Sequence, residues 1–331
     1  MPANLPPQYY ELEREFKKEQ DPKEKLRLAQ ELLAMMPKHK GTDKLQAELK
    51  AKISKLRQQL ETPQKKHGAR TVETHDHIDK EGAGQVIMIG PPNSGKSSLL
   101  ATLTHAQPLI GDYPFSTREP LAGMMRFETI QIQLIDTPSI ASDFYEGYLT
   151  NLIRAADLAL FVADITMPTI EKEVRAVLEK LAARKILLAT RSAPAPEDPR
   201  IVQKATLVVG HKAFEDNSDR GLETLKTIFP EHPVIATSIL DDGSMERLRR
   251  EIFLALGIIR VYTKRVGHEA DFNDPIILPT GGTVEEAAMT LHKDFAQRLQ
   301  FARVWGKGKF EGQRVSKSFQ LSDEDIIEFH M

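Results

Sequence analysis

The residues Gly90-Pro91-Pro92-Asn93-Ser94-Gly95-Lys96-Ser97 have the types and spacing to hold a nucleotide's phosphates, a complete G-x-x-x-x-G-K-S pattern. Glycines at the two ends let successive backbone N–H groups converge on an anion. Lys96 brings a cation to the outer phosphates, and the Ser97 hydroxyl is placed to ligate Mg2+. The apolar run Gln85-Val86-Ile87-Met88-Ile89 reads as the strand that feeds this loop. Ser98, Leu99 and Leu100 open a helix whose positive end faces the same anion. The nucleotide-contacting stretch is therefore Pro92, Asn93, Ser94, Gly95, Lys96, Ser97 and Ser98, with the amides of residues 93–98 as donors.

Phosphoryl transfer needs further oxygen ligands for the metal and a group that reports the terminal phosphate. Asp136, in Leu134-Ile135-Asp136-Thr137-Pro138-Ser139, ends the apolar run 130–135 and can hold Mg2+ through water. Thr117, in Tyr113-Pro114-Phe115-Ser116-Thr117, can bring a hydroxyl to the same metal from the preceding loop. Lys96 and Thr117 are the candidate catalytic residues, and Ser97, Thr117 and Asp136 the candidate Mg2+ ligands.

Alternating β-runs and helical runs must position these groups. Strands are expected at 85–89, 121–127, 130–135, 157–163, 185–190, 206–210 and 233–238, and helices from 96 to about 106, near 169–182, near 219–228 and up to about 256. This alternation is that of a doubly wound, mainly parallel α/β sheet of the P-loop type, which binds ligands at the carboxyl ends of its strands. The expected division is a helical hairpin over 1–66, a linker over 67–84, the nucleotide-binding domain over 85–257 and a small α+β module over 258–331. In the hairpin, Leu45, Leu49, Ile53, Leu56 and Leu60 form one stripe. Lys44, Lys50, Lys52, Lys55 and Arg57 lie off it, on a face open to two readings, a plain solvated surface or an RNA contact. The linker's His67, His75, Asp76 and His77 lack an element to fix a metal geometry. The last module shows β-runs at 259–263, 275–278, 301–304 and 315–319 and a helix over 284–298.

Composition narrows the class. The chain has 331 residues, no cysteine and a net charge of -2, so it has no disulfide framework and no thiolate metal site. Without an apolar run of membrane length or a signal segment, a cytoplasmic location is expected. The charge is uneven: residues 1–70 carry 16 Lys and Arg against 10 Asp and Glu, whereas residues 71–257 carry 19 against 26. A basic arm on an acidic body suggests a polyanionic partner.

Taken together, the Gly90–Leu100 string, the Tyr-Pro-Phe-Ser-Thr loop and the Asp-Thr-Pro segment resemble the Obg superfamily of GTPases, closest to the developmentally regulated GTP-binding protein branch. Arg260-Val261-Tyr262-Thr263-Lys264, Pro275-Ile276-Ile277-Leu278, Val304-Trp305-Gly306 and Gln313-Arg314-Val315 are similar to that branch's C-terminal TGS domain, a β-grasp module. The sheet region is too short for the extra domain inserted in eukaryotic members, so a compact prokaryotic form is expected. The resemblance implies GTP and GDP binding with Mg2+, slow hydrolysis, and contact with the ribosome or RNA through the basic hairpin and the TGS domain, with a protein partner possible and no membrane. Ile140 stands where related GTPases place a water-orienting Gln. Asn93 resembles an asparagine that helps coordinate K+ in related GTPases, and equally a turn-forming Asn.

Two departures from the family pattern stand out. The base motif Asn-Lys-x-Asp is His211-Lys212-Ala213-Phe214 here, so the guanine-accepting carboxylate is gone, although Glu215 and Asp216 are near in sequence. Ser139 replaces the glycine whose N–H senses the terminal phosphate, which blunts the expected switch. The Ser238 loop, in Ala236-Thr237-Ser238-Ile239, is expected to offer a backbone N–H to the base. These departures leave two alternatives to a switch GTPase: a nucleotidase of relaxed or adenine specificity, and an RNA- or ribosome-binding adaptor with structural nucleotide and negligible hydrolysis.

Overall fold

The computed structural model describes residues 12, 22–35, 77–104, 119–141 and 145–331. Residues 1–73 and 74–331 are two separate units. In the first, helix α1 (Pro22–Met35) buries Leu28, Ala29 and Leu32. The other expected arm of the hairpin, with Lys44, Lys50, Lys52 and Lys55, lies outside the described residues, as does Thr117.

In the second unit, strands β1 (Gln85–Ile89), β2 (Leu121–Phe127), β3 (Ile130–Asp136), β4 (Leu158–Asp164), β5 (Ile186–Ala189), β6 (Val202–His211) and β7 (Val234–Thr237) form one sheet in the order β2-β3-β1-β4-β6-β5. β7 shares the outer edge of β6, pairing with residues 208–211 while β5 pairs with 202–205. Every pairing is parallel except β2 with β3. Strands such as β1 are buried on both faces, which is why they read as unbroken apolar runs rather than alternating ones.

Successive side chains of a strand point to opposite faces. Ile87 and Ile89 of β1 enter one core with α3 (Leu149–Ala155), α4 (Ile170–Ala183) and α5 (Ser218–Ile228), and Val86 and Met88 enter the other with α2 (Lys96–Leu103) and α6 (Asp242–Leu256). Helix α3 was not expected; at seven residues it offers too little periodicity to read, though Leu149, Leu152 and Ile153 are its buried face. The end of the expected linker is held on the sheet. Ala83 donates to Gln131 O at 2.7 Å, and Gln85 and Gln133 bond Ile78 O and Asp79 O.

The C-terminal module is a mixed sheet of β8 (Ile258–Lys264), β9 (Ala270–Pro279), β10 (Phe301–Trp305), β11 (Gln313–Val315) and β12 (Asp325–His330), in the order β11-β10-β12-β8-β9. Helices α7 (Val284–Leu291) and α8 (Lys293–Arg298) lie along the segment expected as one helix over 284–298. At His292 the backbone is extended, with φ -169°, so that helix is two. Thr283 and Glu286 close a capping box at its start. The expected strand over 315–319 ends at Val315, and the central strand β12 was not anticipated.

Arg260 ties the two sheets together. Only 3% exposed, it bonds Asp323 and Glu324 of its own module and Glu128 of the β2–β3 turn, and its guanidinium lies 5.0 Å from the Phe253 ring of α6. Thr129 and Tyr262 add a hydroxyl contact at 3.0 Å.

Candidate functional site

The carboxyl ends of β1, β3, β4, β6 and β7 bring together residues from distant parts of the chain. Register pairs Met88 with Asp136, Asp164 with His211, and His211 with Thr237. The phosphate loop leaves β1 at Gly90 and enters α2 at Lys96. Gly95 has φ 87°, and a Cβ there would stand 2.2 Å from the His211 ring, so both the backbone and the packing demand glycine. Asn93, exposed at the crest of the loop, also takes a left-handed φ of 56°.

Lys96 is 5% exposed, and its ammonium is ringed by oxygen: Pro91 O at 3.2 Å, Ser94 Oγ at 3.3 Å, Ser139 Oγ at 3.2 Å and Gly90 O at 3.5 Å. Burial pulls its pKa down to about 8, against the opposing pull of the Asp136 charge. A cation held this way is poised for a stronger anion than a carbonyl dipole. Ser97 Oγ donates to Asp136 Oδ2 at 2.5 Å, so the two hard-oxygen groups expected at Mg2+ meet at one point and fit that ion.

The segment after Asp136 is fastened to the loop. Thr137 Oγ1 donates to Met88 O at 2.7 Å, and Ile140 N–H donates to Gly90 O at 3.1 Å. The Ile140 side chain is wholly buried in the core with Ile87, Ile135 and Leu149.

Beside the loop, the His211 ring packs on Gly95, and burial lowers its pKa to about 4, with Asp164 opposing and Lys212 reinforcing. It is neutral at pH 7. Lys212 donates to Asp164 Oδ2 at 2.6 Å, while Asp164 Oδ1 accepts from the Thr166 amide and hydroxyl. Asp164 was missed by sequence reasoning. Its signal was available, since like Asp136 it is a carboxylate at the end of an apolar strand. Phe214 stands 77% exposed with φ 72°.

In the loop after β7 the Ser238 N–H donates to Ser244 Oγ at 3.1 Å, while the next amide, that of Ile239, has no hydrogen bond among the described residues. Ser244 lies in the first turn of α6, and Asp241 caps that helix through the Ser244 amide at 2.9 Å.

The sheet, the phosphate loop at its carboxyl edge and the appended mixed β-module define a P-loop nucleotide-binding protein with a β-grasp domain. Comparison with known proteins gives the same answer: residues 85–191 match the family described as 50S ribosome-binding GTPase, and residues 259–331 match the TGS domain. The chain thus carries a GTPase domain and a TGS domain, and over about nine tenths of its length it is similar to GTP-binding proteins that include developmentally regulated ones. It is 28% identical to an uncharacterised GTP-binding protein of Methanocaldococcus jannaschii, covering 92% of this chain and 91% of that one. It is 27% identical to the developmentally-regulated GTP-binding protein 2 homolog of Dictyostelium discoideum, over 92% and 98%. Those alignments run over 361 and 360 positions, longer than this chain's 331 residues, so the relatives carry segments that it lacks. Among solved structures, a variant of Era from Aquifex aeolicus bound to GDP·AlF4- is similar with a TM-score of 0.39, 22% identity and coverage of 67% and 71%. No helix among the described residues is long and apolar enough to cross a membrane.

Proposed function

We propose that the chain binds GTP across residues 92–98, hydrolyses it slowly, and uses the bound state to govern contact with the ribosome or RNA in the cytoplasm. The observation that carries this reading is the buried Lys96 ammonium among loop oxygens, beside the Ser97–Asp136 pair. A triphosphate replaces weak neutral partners of Lys96 with full charges, and the amides of residues 93–98 hold it from the helix end. Mg2+, when bound by Ser97, Asp136 and Thr117, supplies charge neutralisation at the outer phosphates. Ser139 must yield Lys96 as the terminal phosphate arrives, which makes its hydroxyl a reporter of that phosphate. Asn93, at the loop crest, is the residue for K+.

Ribosome contact is supported by the description of the matching family and by the excess of cations in residues 1–70. Reversing the charges of Lys50, Lys52 and Lys55 is expected to weaken ribosome co-sedimentation about tenfold at low salt, with a flatter salt dependence. An unchanged pellet sinks the RNA-contact part of the reading.

A second reading, an adaptor with structural nucleotide, is favoured by the inward-facing Ile140 and by the anchoring of residues 137–140 to β1 and the loop. Single-turnover hydrolysis with and without K+ and ribosomes separates the two, since turnover above the uncatalysed rate in any of these conditions excludes the adaptor.

A further inference from the structure

The end of the site remote from the phosphate loop is apolar, and most of its main chain is already engaged. Ala213 N–H donates to Thr237 O at 2.9 Å, which sets the Phe214 loop beside residues 238–240. Around that contact Phe214, Ile239 and Leu240 are all exposed, at 77%, 38% and 87%. Of the N–H groups from Ser238 to Asp241, Ser238 donates to Ser244 Oγ, Leu240 to Ser238 Oγ and Asp241 to Ser238 O. Among the described residues, the Ile239 N–H has no hydrogen-bond partner.

Guanine presents an amine donor and a carbonyl acceptor where adenine presents an amine in place of the carbonyl, so choosing guanine requires a matching acceptor and donor. Phe214 accepts nothing, and a single N–H satisfies guanine O6 or adenine N1 alike. The Lys212 ammonium is held on Asp164, leaving only its stem for a ring. Glu215 turns into α5 through its carbonyl, bonded to the Ser218 amide at 3.2 Å, and its carboxylate and that of Asp216 are exposed to water.

We propose that this corner takes a purine ring by apolar contact with Phe214, Ile239 and Leu240 and does not select guanine over adenine, Phe214 being the specificity-determining residue. The inference rests on the nucleotide reading of the phosphate loop. It extends the ligand class from GTP to purine nucleoside triphosphates, and it follows from this chain's departures rather than from its family.

The test is calorimetric titration of the full chain with Mg2+-GDP and Mg2+-ADP, repeated on Phe214→Asp, Phe214→Asn and the Glu215→Gln/Asp216→Asn pair. Asp and Asn adopt a left-handed φ more readily than Phe, so these variants relieve backbone strain rather than add it. The unaltered chain is expected to bind the two nucleotides within about tenfold of each other, whereas restoring an acceptor at position 214 should raise the GDP-over-ADP preference at least about thirtyfold. A preference for GDP above about a hundredfold in the unaltered chain overturns the proposal. So does a loss of existing preference in the Glu215/Asp216 variant, or an unchanged ratio in a Phe214→Asp protein that still binds. Absence of binding to either nucleotide overturns the phosphate-loop reading and this proposal with it; guanine-only binding overturns this proposal alone.

Discussion

The two ends of the site, one built for phosphates and the other facing the base, are held to different standards. At the phosphate end the described residues converge: glycine with positive φ, a buried lysine, and a serine on a strand-end aspartate. At the base end a histidine and a phenylalanine stand where the family pattern has an asparagine and a carboxylate, and the Ser238 amide is engaged by Ser244. The contrast follows from energetics. Phosphate charge can be held out of water only by converging donors and cations, so few residue types serve. A purine ring is satisfied by any apolar surface, and only the choice between purines needs polar groups.

The largest effect expected from breaking this contrast is at Lys96. Lys96→Ala should weaken binding of any nucleoside di- or triphosphate by about 3 kcal/mol, roughly a hundredfold, equally for GDP and ADP. Equal binding by the variant in titration calorimetry would remove the phosphate end from the argument.

Next comes acid sensitivity at the base end. The His211 pKa is depressed from 6.5 to about 4 in the folded chain, so the unfolded chain binds the extra proton first as pH falls. The stability associated with neutral His211 is complete above about pH 6.5 and declines from there to pH 4, by about 3 kcal/mol. Denaturant midpoints at pH 7 and pH 5 should therefore differ more for the native chain than for His211→Asn, and parallel shifts would refute this.

A smaller effect sharpens the phosphate end. Because Lys96 loses its proton near pH 8 in the free chain, nucleotide binding must recapture that proton above this pH. Affinity should fall by at most about tenfold per unit between pH 8 and 10, and Lys96→Arg should flatten the profile. Ser139→Gly is expected to have the least effect. It frees the backbone and removes one partner of Lys96, raising single-turnover hydrolysis about two- to fivefold with little change in GDP affinity. A slower variant would show that the serine assists hydrolysis.

Legibility in the sequence followed the same division. The parallel strands were readable because burial on both faces makes them continuous apolar runs. Strand β12 was not, since Asp325-Ile326-Ile327-Glu328-Phe329-His330 mixes charge with apolar residues and is a strand only because β10 and β8 flank it. The two-helix break at His292 and the seven-residue α3 likewise fall below what periodicity resolves.

What the sequence by itself determined is the phosphate loop and the sheet that carries it, because the loop's amides, lysine and serine lie within nine residues and need only local backbone geometry to converge. Tertiary structure alone decided the rest: that Asp164 holds Lys212 from 48 residues away, that Ser244 consumes the Ser238 amide, and that Ile140 turns into the core. Hydrogen-bond partners and burial are properties of neighbours in space, and at the base end those neighbours come from three separate strands and the first turn of a helix.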